Sequence, residues 1–408
     1  MRINLQSLSR FLLPCLASLI FLPLPSYGSA DETTPAVPDT ATIAHAVEGP
    51  WGRLQYYHFY LEAPEHLVAL LPPPRARTRW AVPVDQVPEL NQAFRSAGLT
   101  NQQLEEVMDP SIRVVADGLY SLFPNPHTVL SLSPKSRTSL YNFLSRFSVN
   151  GVYSSPVQFF SGDVRQWAKD TSIREDLVDL IDELIYYRGD VKVFGDIPLI
   201  LSACRTESEV MDMAKHFTRV RTMVVRLEVS KDSNLDQIVN YWSTGLGLRR
   251  KDIEPLLRAA IQTEGVSLID MLHLLPPLPR KLLYTYPDIS MATDGRMPDC
   301  HWTSLNFFNY NPQGIYLDER LAATAVMERF DRVDPPYQYG DVIMFITDDD
   351  RAHHSCTYLA ADIVFTKNGY NVLVPWTLAN LSDVANLYRE FEGKALHMQG
   401  YRMRQPTH

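Results

Sequence analysis

The chain has 408 residues, 45% of them hydrophobic, enough for one large domain or two. Its formal net charge is −9 and no basic stripe is visible, which argues against nucleic acid as a partner. Beyond the N-terminal leader, no segment is long and apolar enough to span a bilayer.

Residues 1–30 read as a secretory signal. Arg2 and Arg10 precede the apolar run FLLPCLASLIFLPL (11–24), and the small residues Gly28, Ser29 and Ala30 follow. Pro14 and Pro23 make the run a poor membrane span, and Pro14 before Cys15 argues against a lipid anchor. The expectation is an exported protein, periplasmic or extracellular, with no stable membrane insertion after signal cleavage. Cys204, Cys300 and Cys356 then remain. An odd number in an oxidising compartment leaves at least one free thiol.

Residues 31–49 are rich in Pro, Thr and small side chains and read as a flexible linker. RLQYYHFYLE (53–62) is aromatic and reads as a strand, and LPPPR (71–75) breaks the chain. Helical patterns then dominate. Thr100 stands three residues before Gln103, a capping-box spacing for 99–108. Ser133 and Pro134 open a helix over 132–147, and Ser172 with Glu175 repeats the logic for 172–187. Further helices are expected over 207–217, 234–242 and 253–261, with a strand over 219–229. The prolines of LLPPLPR (274–280) end this part. The reading is a mostly helical domain over 50–285, followed by a second domain over 286–408, an α+β chain overall.

The chemistry concentrates in the second domain. In PDCHWTSLNFF (298–308), Trp302, Leu305 and Phe308 recur at helical spacing, so Cys300 falls in the first turn of a helix. There the positive end of the helix dipole and unpaired amides lower a thiol's pKa. YGDVIMFI (339–346) reads as a strand buried on both faces. The polar turn TDDDRAH follows, then strands over 354–360 and 363–369, an antiparallel meander packed on the Cys300 helix. His354 opens one of those strands, where an imidazole can take the thiol proton and return it to a leaving group. His353 is the rival base, but adjacent strand residues point to opposite faces. Cys356 shares the face of His354. Its ordinary role is packing, and its sharper one is a reversible disulfide with Cys300. The run DDDRAHHSC (348–356) lacks the ligand spacing of a zinc site. No metal and no cofactor are expected. Cys204 and Trp376 read as packing residues.

These blocks, DCHWTSLNFF, YGDVIMF and HSCTYLAADIVF, resemble the core of the NlpC-type papain-like cysteine peptidases over about the last 120 residues. The resemblance implies a papain-like fold, with one helix on a small antiparallel sheet. It also implies Cys300 as nucleophile, His354 as base and hydrolysis of amide bonds in peptidoglycan stem peptides. The family's third residue matches Thr366, where histidine is common. Asn368, two further on, is the chemically better orienter and is taken as the third residue, with Thr366 as the alternative. His301 and Trp302 stand where the family carries small residues, and Ala360 where it carries glycine. Two other readings are a catalytically inactive binding or scaffold module and a cysteine-dependent acyltransferase.

Overall fold

The computed structural model describes residues 42–69, 77–159, 164–244, 248–391 and 394–404. The expected leader, the linker up to residue 41 and the LPPPR break lie outside the described residues. Strand β1 (Arg53–Leu61) pairs antiparallel along its whole length with β2 (Val220–Glu228). The short strands Ala44–His45 and Leu268–Asp270 flank them, so the end of the expected linker is sheet edge.

Between β1 and β2 lies the helix-rich region, with a core built around Trp80, Phe94, Leu140, Tyr141, Trp167, Ile181 and Phe194. Its local signals act where the sequence places them. Thr100 and Gln103 form a reciprocal capping box on Asn101–Met108, and Ser133 caps Pro134–Leu144 with Pro134 first in the helix. The third start is different. The helix is Glu175–Glu183, behind Arg174, which makes no side-chain cap. The hydroxyl of Ser172 instead meets His216 Nε2 at 3.3 Å, so a tertiary partner takes the group a cap would have used.

One carboxyl in this core makes stability depend on pH. Asp196 is wholly buried and accepts hydrogen bonds from the hydroxyls of Tyr141 (3.0 Å) and Tyr153 (3.3 Å). Burial pushes it up to about 7, against the opposing effect of those bonds and of Arg137. A raised carboxyl stabilises the fold most fully below its unfolded value of 3.8, and that contribution is lost as pH rises through about 7. The loss is on the order of 4 kcal/mol at about 1.36 kcal/mol per pH unit. Urea melts of the Asp196→Asn variant should therefore show a flatter stability slope between pH 4 and 7 than the parent. Equal slopes would contradict this account.

The C-terminal part is an antiparallel sheet carrying a helix, which makes the chain mixed α+β. Helix α1 (Cys300–Leu305) comes first, followed by β3 (Phe330–Val333), β4 (Val342–Ile346), β5 (Ala352–Ala360), β6 (Ile363–Thr366), β7 (Thr377–Asn380), helix α2 (Leu381–Leu387) and β8 (His397–Met403). Spatial order is β3-β8-β4-β5-β6-β7, with every neighbouring pair antiparallel. The expected meander β4-β5-β6 is present, and the last strand, β8, inserts beside β4. Every residue of β4 is buried, as its unbroken apolar run requires.

Two layers cover this sheet. Trp302, Leu305 and Phe307 pack with Val342, Met344, Leu359 and Phe365 on one face. Leu381 and Val384 of α2 pack with Ile343, Phe345, Cys356 and Val364 on the other. The first cluster also contains Leu54, Met223, Val225, Trp242 and Leu274, so a single core runs across residue 285. The two sheets are joined at Thr222. Its Oγ1 donates to Leu378 O (3.0 Å) and accepts from Leu378 N (3.1 Å).

Candidate active site

Cys300 is the first residue of α1 and is 5% exposed. Asp299 caps the helix, its Oδ1 accepting the Trp302 amide at 2.8 Å. One of the amides expected to face the thiol is therefore already engaged. The electrostatics come instead from two rings. Burial pushes the Cys300 thiol up, but the charge and hydrogen bonding of His301 and His354 outweigh it and hold the thiol well below its ordinary value.

His354 reaches the thiol from β5. It is wholly buried, and its ring stacks on Tyr388 at 4.0 Å between centroids and 4° between planes. Phe345, its cross-strand partner on β4, lies beside the stacked pair, 5.7 Å from each ring centroid. His354 Nε2 meets Thr366 Oγ1 at 3.1 Å. Its Nδ1 is buried without a hydrogen bond. His353, at the adjacent position of β5, projects to the face opposite His354.

The hydroxyl that meets His354 is that of Thr366, and no hydrogen bond joins Asn368 Oδ1 to the ring. Strand β6 ends at Thr366, so the two-residue alternation that would carry Asn368 onto the same face stops there. The chain then turns through Gly369, at φ 71°. Buried Lys367 holds that turn, its Nζ donating to Gly369 O (2.7 Å) and Asn371 O (3.0 Å). Asn368 Oδ1 is buried without a hydrogen bond. Burial pushes Lys367 down to about 8, against the charges of Cys300 and Asp299.

In the sequence His301 stands out only as a departure from the family's pattern of small residues. In the structure its Nδ1 lies 3.0 Å from Ser355 Oγ. Ser355 Oγ lies 2.8 Å from Ser304 Oγ, and Ser304 Oγ donates to the Cys300 carbonyl at 2.6 Å. Burial acts to lower His301, but the Cys300 and Asp299 charges prevail and bring it up to about 9. One signal was available: Ser304 is four residues after Cys300, the spacing at which a helical hydroxyl reaches back to a carbonyl.

How one thiol meets both imidazoles follows from the sheet. Strands β5 and β6 stay paired only as far as Thr357↔Phe365, while β5 continues to Ala352. Ser355 and His354 project to opposite faces of β5. Beyond the end of the ladder, groups from both faces come within reach of the first turn of α1.

The remaining candidates have structural roles. Cys204, Cys300 and Cys356 are all free thiols, so no Cys300–Cys356 bridge is present. Burial, and then the charge of Cys300, push the Cys356 thiol up, which makes it a poor nucleophile. Trp376 is wholly buried and donates from Nε1 to Thr303 Oγ1 at 2.9 Å. Asp350 sits in the exposed hairpin turn at φ 61° and pairs with Arg332. Among the described residues no group of acidic, histidine or cysteine side chains is arranged to hold a metal ion. No family model, curated protein or solved structure matches the chain.

Proposed function

We propose that the protein is an exported cysteine hydrolase of the NlpC-type papain-like class, cleaving amide bonds in peptidoglycan stem peptides. Cys300 is the nucleophile, His354 the base and Thr366 the residue that orients it. The observation that carries this reading is the buried thiol whose proton is drawn off by imidazole, with His354 Nε2 held by the Thr366 hydroxyl. A thiol in the core without a function would be pushed up, as Cys356 is. The thiolate attacks the carbonyl carbon, an imidazole protonates the leaving nitrogen, and water hydrolyses the thioester. Export and the cell-wall substrate rest on the leader and on the sequence resemblance.

Two experiments test this reading. Incubation of the chain lacking residues 1–30 with purified peptidoglycan fragments should release products differing by one hydrolysed amide, read by mass spectrometry. Unchanged fragments would reject the substrate class. The orienting role separates Thr366 from Asn368. Thr366→Val keeps the shape but leaves a wholly buried ring nitrogen without its partner, a loss of about 1–3 kcal/mol. It should lower turnover about tenfold to a hundredfold, whereas Asn368→Ala should stay within about threefold of the parent. The reverse order would reassign the third residue.

A further inference from the structure

The three links from His301 to the Cys300 carbonyl determine where its proton sits. A carbonyl oxygen only accepts, so the Ser304 hydroxyl proton is committed to Cys300 O. Between the two serines, Ser355 must then be the donor, which commits its own proton to Ser304. The Ser355 oxygen is left to accept from His301, so Nδ1 of His301 carries a proton in both charge states of the ring. The nitrogen that titrates, and that is left for the Cys300 thiol, is Nε2. His354 has no such lock, because the Thr366 hydroxyl can donate or accept.

Position separates the two rings as well. His354 is wholly buried, stacked on Tyr388 with Phe345 beside the pair. His301 is partly exposed, and the charged groups facing it are Cys300, Asp299 and Glu319. Of the two residues whose imidazoles act on the thiol, His301 is the one with some surface open to solvent, whereas His354 has none.

We propose that His301 is a second catalytic residue, the acid that protonates the leaving nitrogen, with its tautomer locked by the Ser355–Ser304–Cys300 carbonyl chain. This rests on the cysteine-hydrolase reading above. With the thiol proton taken by His354 as base and a proton on His301 Nε2, Cys300 Sγ forms a bond to the amide carbon. As the carbon–nitrogen bond breaks, the leaving nitrogen takes the Nε2 proton. A water molecule then gives a proton to Nε2 while its oxygen bonds to the thioester carbon. Cleavage of the carbon–sulfur bond releases the carboxylic acid and restores the thiolate beside the imidazolium. His354 remains the buried base, its Nε2 held by the Thr366 hydroxyl.

The test compares two probes with the same stem-peptide acyl group, an anilide and an activated aryl ester. The aryl oxide leaves without a proton, whereas the aniline requires one. The parent, His301→Gln, His354→Gln and Ser355→Ala forms are assayed on both. The expected result for His301→Gln is a loss of about 10²–10⁴-fold on the anilide and a loss at least tenfold smaller on the ester. Ser355→Ala, which keeps the ring and removes its lock, should shift the same ratio in the same direction by about tenfold. Equal losses on both probes in His301→Gln, or a selective anilide loss confined to His354→Gln, overturn the proposal and leave the hydrolase reading standing. A parent that turns over neither probe, and shows no thiolate ultraviolet absorbance below pH 8 relative to Cys300→Ser, overturns both.

Discussion

Cys300→Ala should lower amide hydrolysis on the order of 10⁴-fold or more, because removing a covalent nucleophile removes the whole acyl-enzyme route. The chain should still fold. The sulfur is a small part of a core that already holds Trp302, Leu305 and Phe307 on the same helix and turn. His301 keeps its hydroxyl partner and loses the charge and hydrogen bonding of Cys300 that raised it. Turnover within about tenfold of the parent, with Cys300 absent, would show that the thiol is not the nucleophile.

The same pair also bears on what pH will and will not reveal. His301 goes from 6.5 up to about 9, so its contribution to stability is complete below 6.5 and is lost as pH rises through 9. Cys300 is depressed, so its contribution is present above the ordinary thiol value and is lost as pH falls through the folded one. Between those limits the folded pair holds one proton, on imidazole, and the unfolded pair holds one, on sulfur. The two slopes oppose each other there, so between 6.5 and 9 the site adds little to the pH dependence of unfolding. Thiolate absorbance and probe turnover report the pair, while the difference in melting slope between the parent and Asp196→Asn reports Asp196.

The largest effect on stability is expected at Arg402. Its Nε and a terminal nitrogen bind both oxygens of Asp341, each at 2.7 Å, and Asp341 is 1% exposed. The backbone amide of Gln338 supplies a third hydrogen bond to the same carboxylate. Arg402→Met leaves a buried charge without its cation, a loss of about 3 kcal/mol or more. The double variant Asp341→Asn/Arg402→Met should recover part of it, since the carboxylate charge is then gone. Urea midpoints at constant m-value measure both. A single-variant loss below about 1 kcal/mol would mean that solvent already screens the carboxylate.

That pair gives the Gly-Asp start of β4 a physical meaning. Gly340 takes φ 88°, and the Phe308 ring fills the place where a Cβ would stand. Asp341 is the counter-ion of β8. Both residues hold the sheet together, and neither touches the thiol.

Much of the local architecture was legible from neighbouring residues alone. The Thr100 box, the Ser133 and Pro134 start, the apolar run of β4 and the spacing of Trp302 and Leu305 are short-range signals. The groups they engage lie within a turn or a strand. Cys300 at a helix start and His354 on a facing strand were legible for the same reason. Ser172 shows the limit, because a cap signal yields when His216, 44 residues away, takes the hydroxyl.

What only the tertiary structure decided is where strands stop and part. Extending β6 by alternation selects Asn368, and the end of the strand at Thr366 selects Thr366 instead. Neighbouring side chains on a helix diverge by about 100°, so nothing in the order of residues brings both Cys300 and His301 to one site. The end of the β5–β6 ladder does, by letting Ser355 anchor one ring while His354 approaches from the other face. Likewise, Thr222 meets Leu378 across 156 residues. The sequence determined which side chains were available and which local elements they formed. The meeting of distant chain segments decided which hydroxyl holds which imidazole, because a hydrogen bond depends on geometry to within tenths of an ångström and no local pattern encodes that.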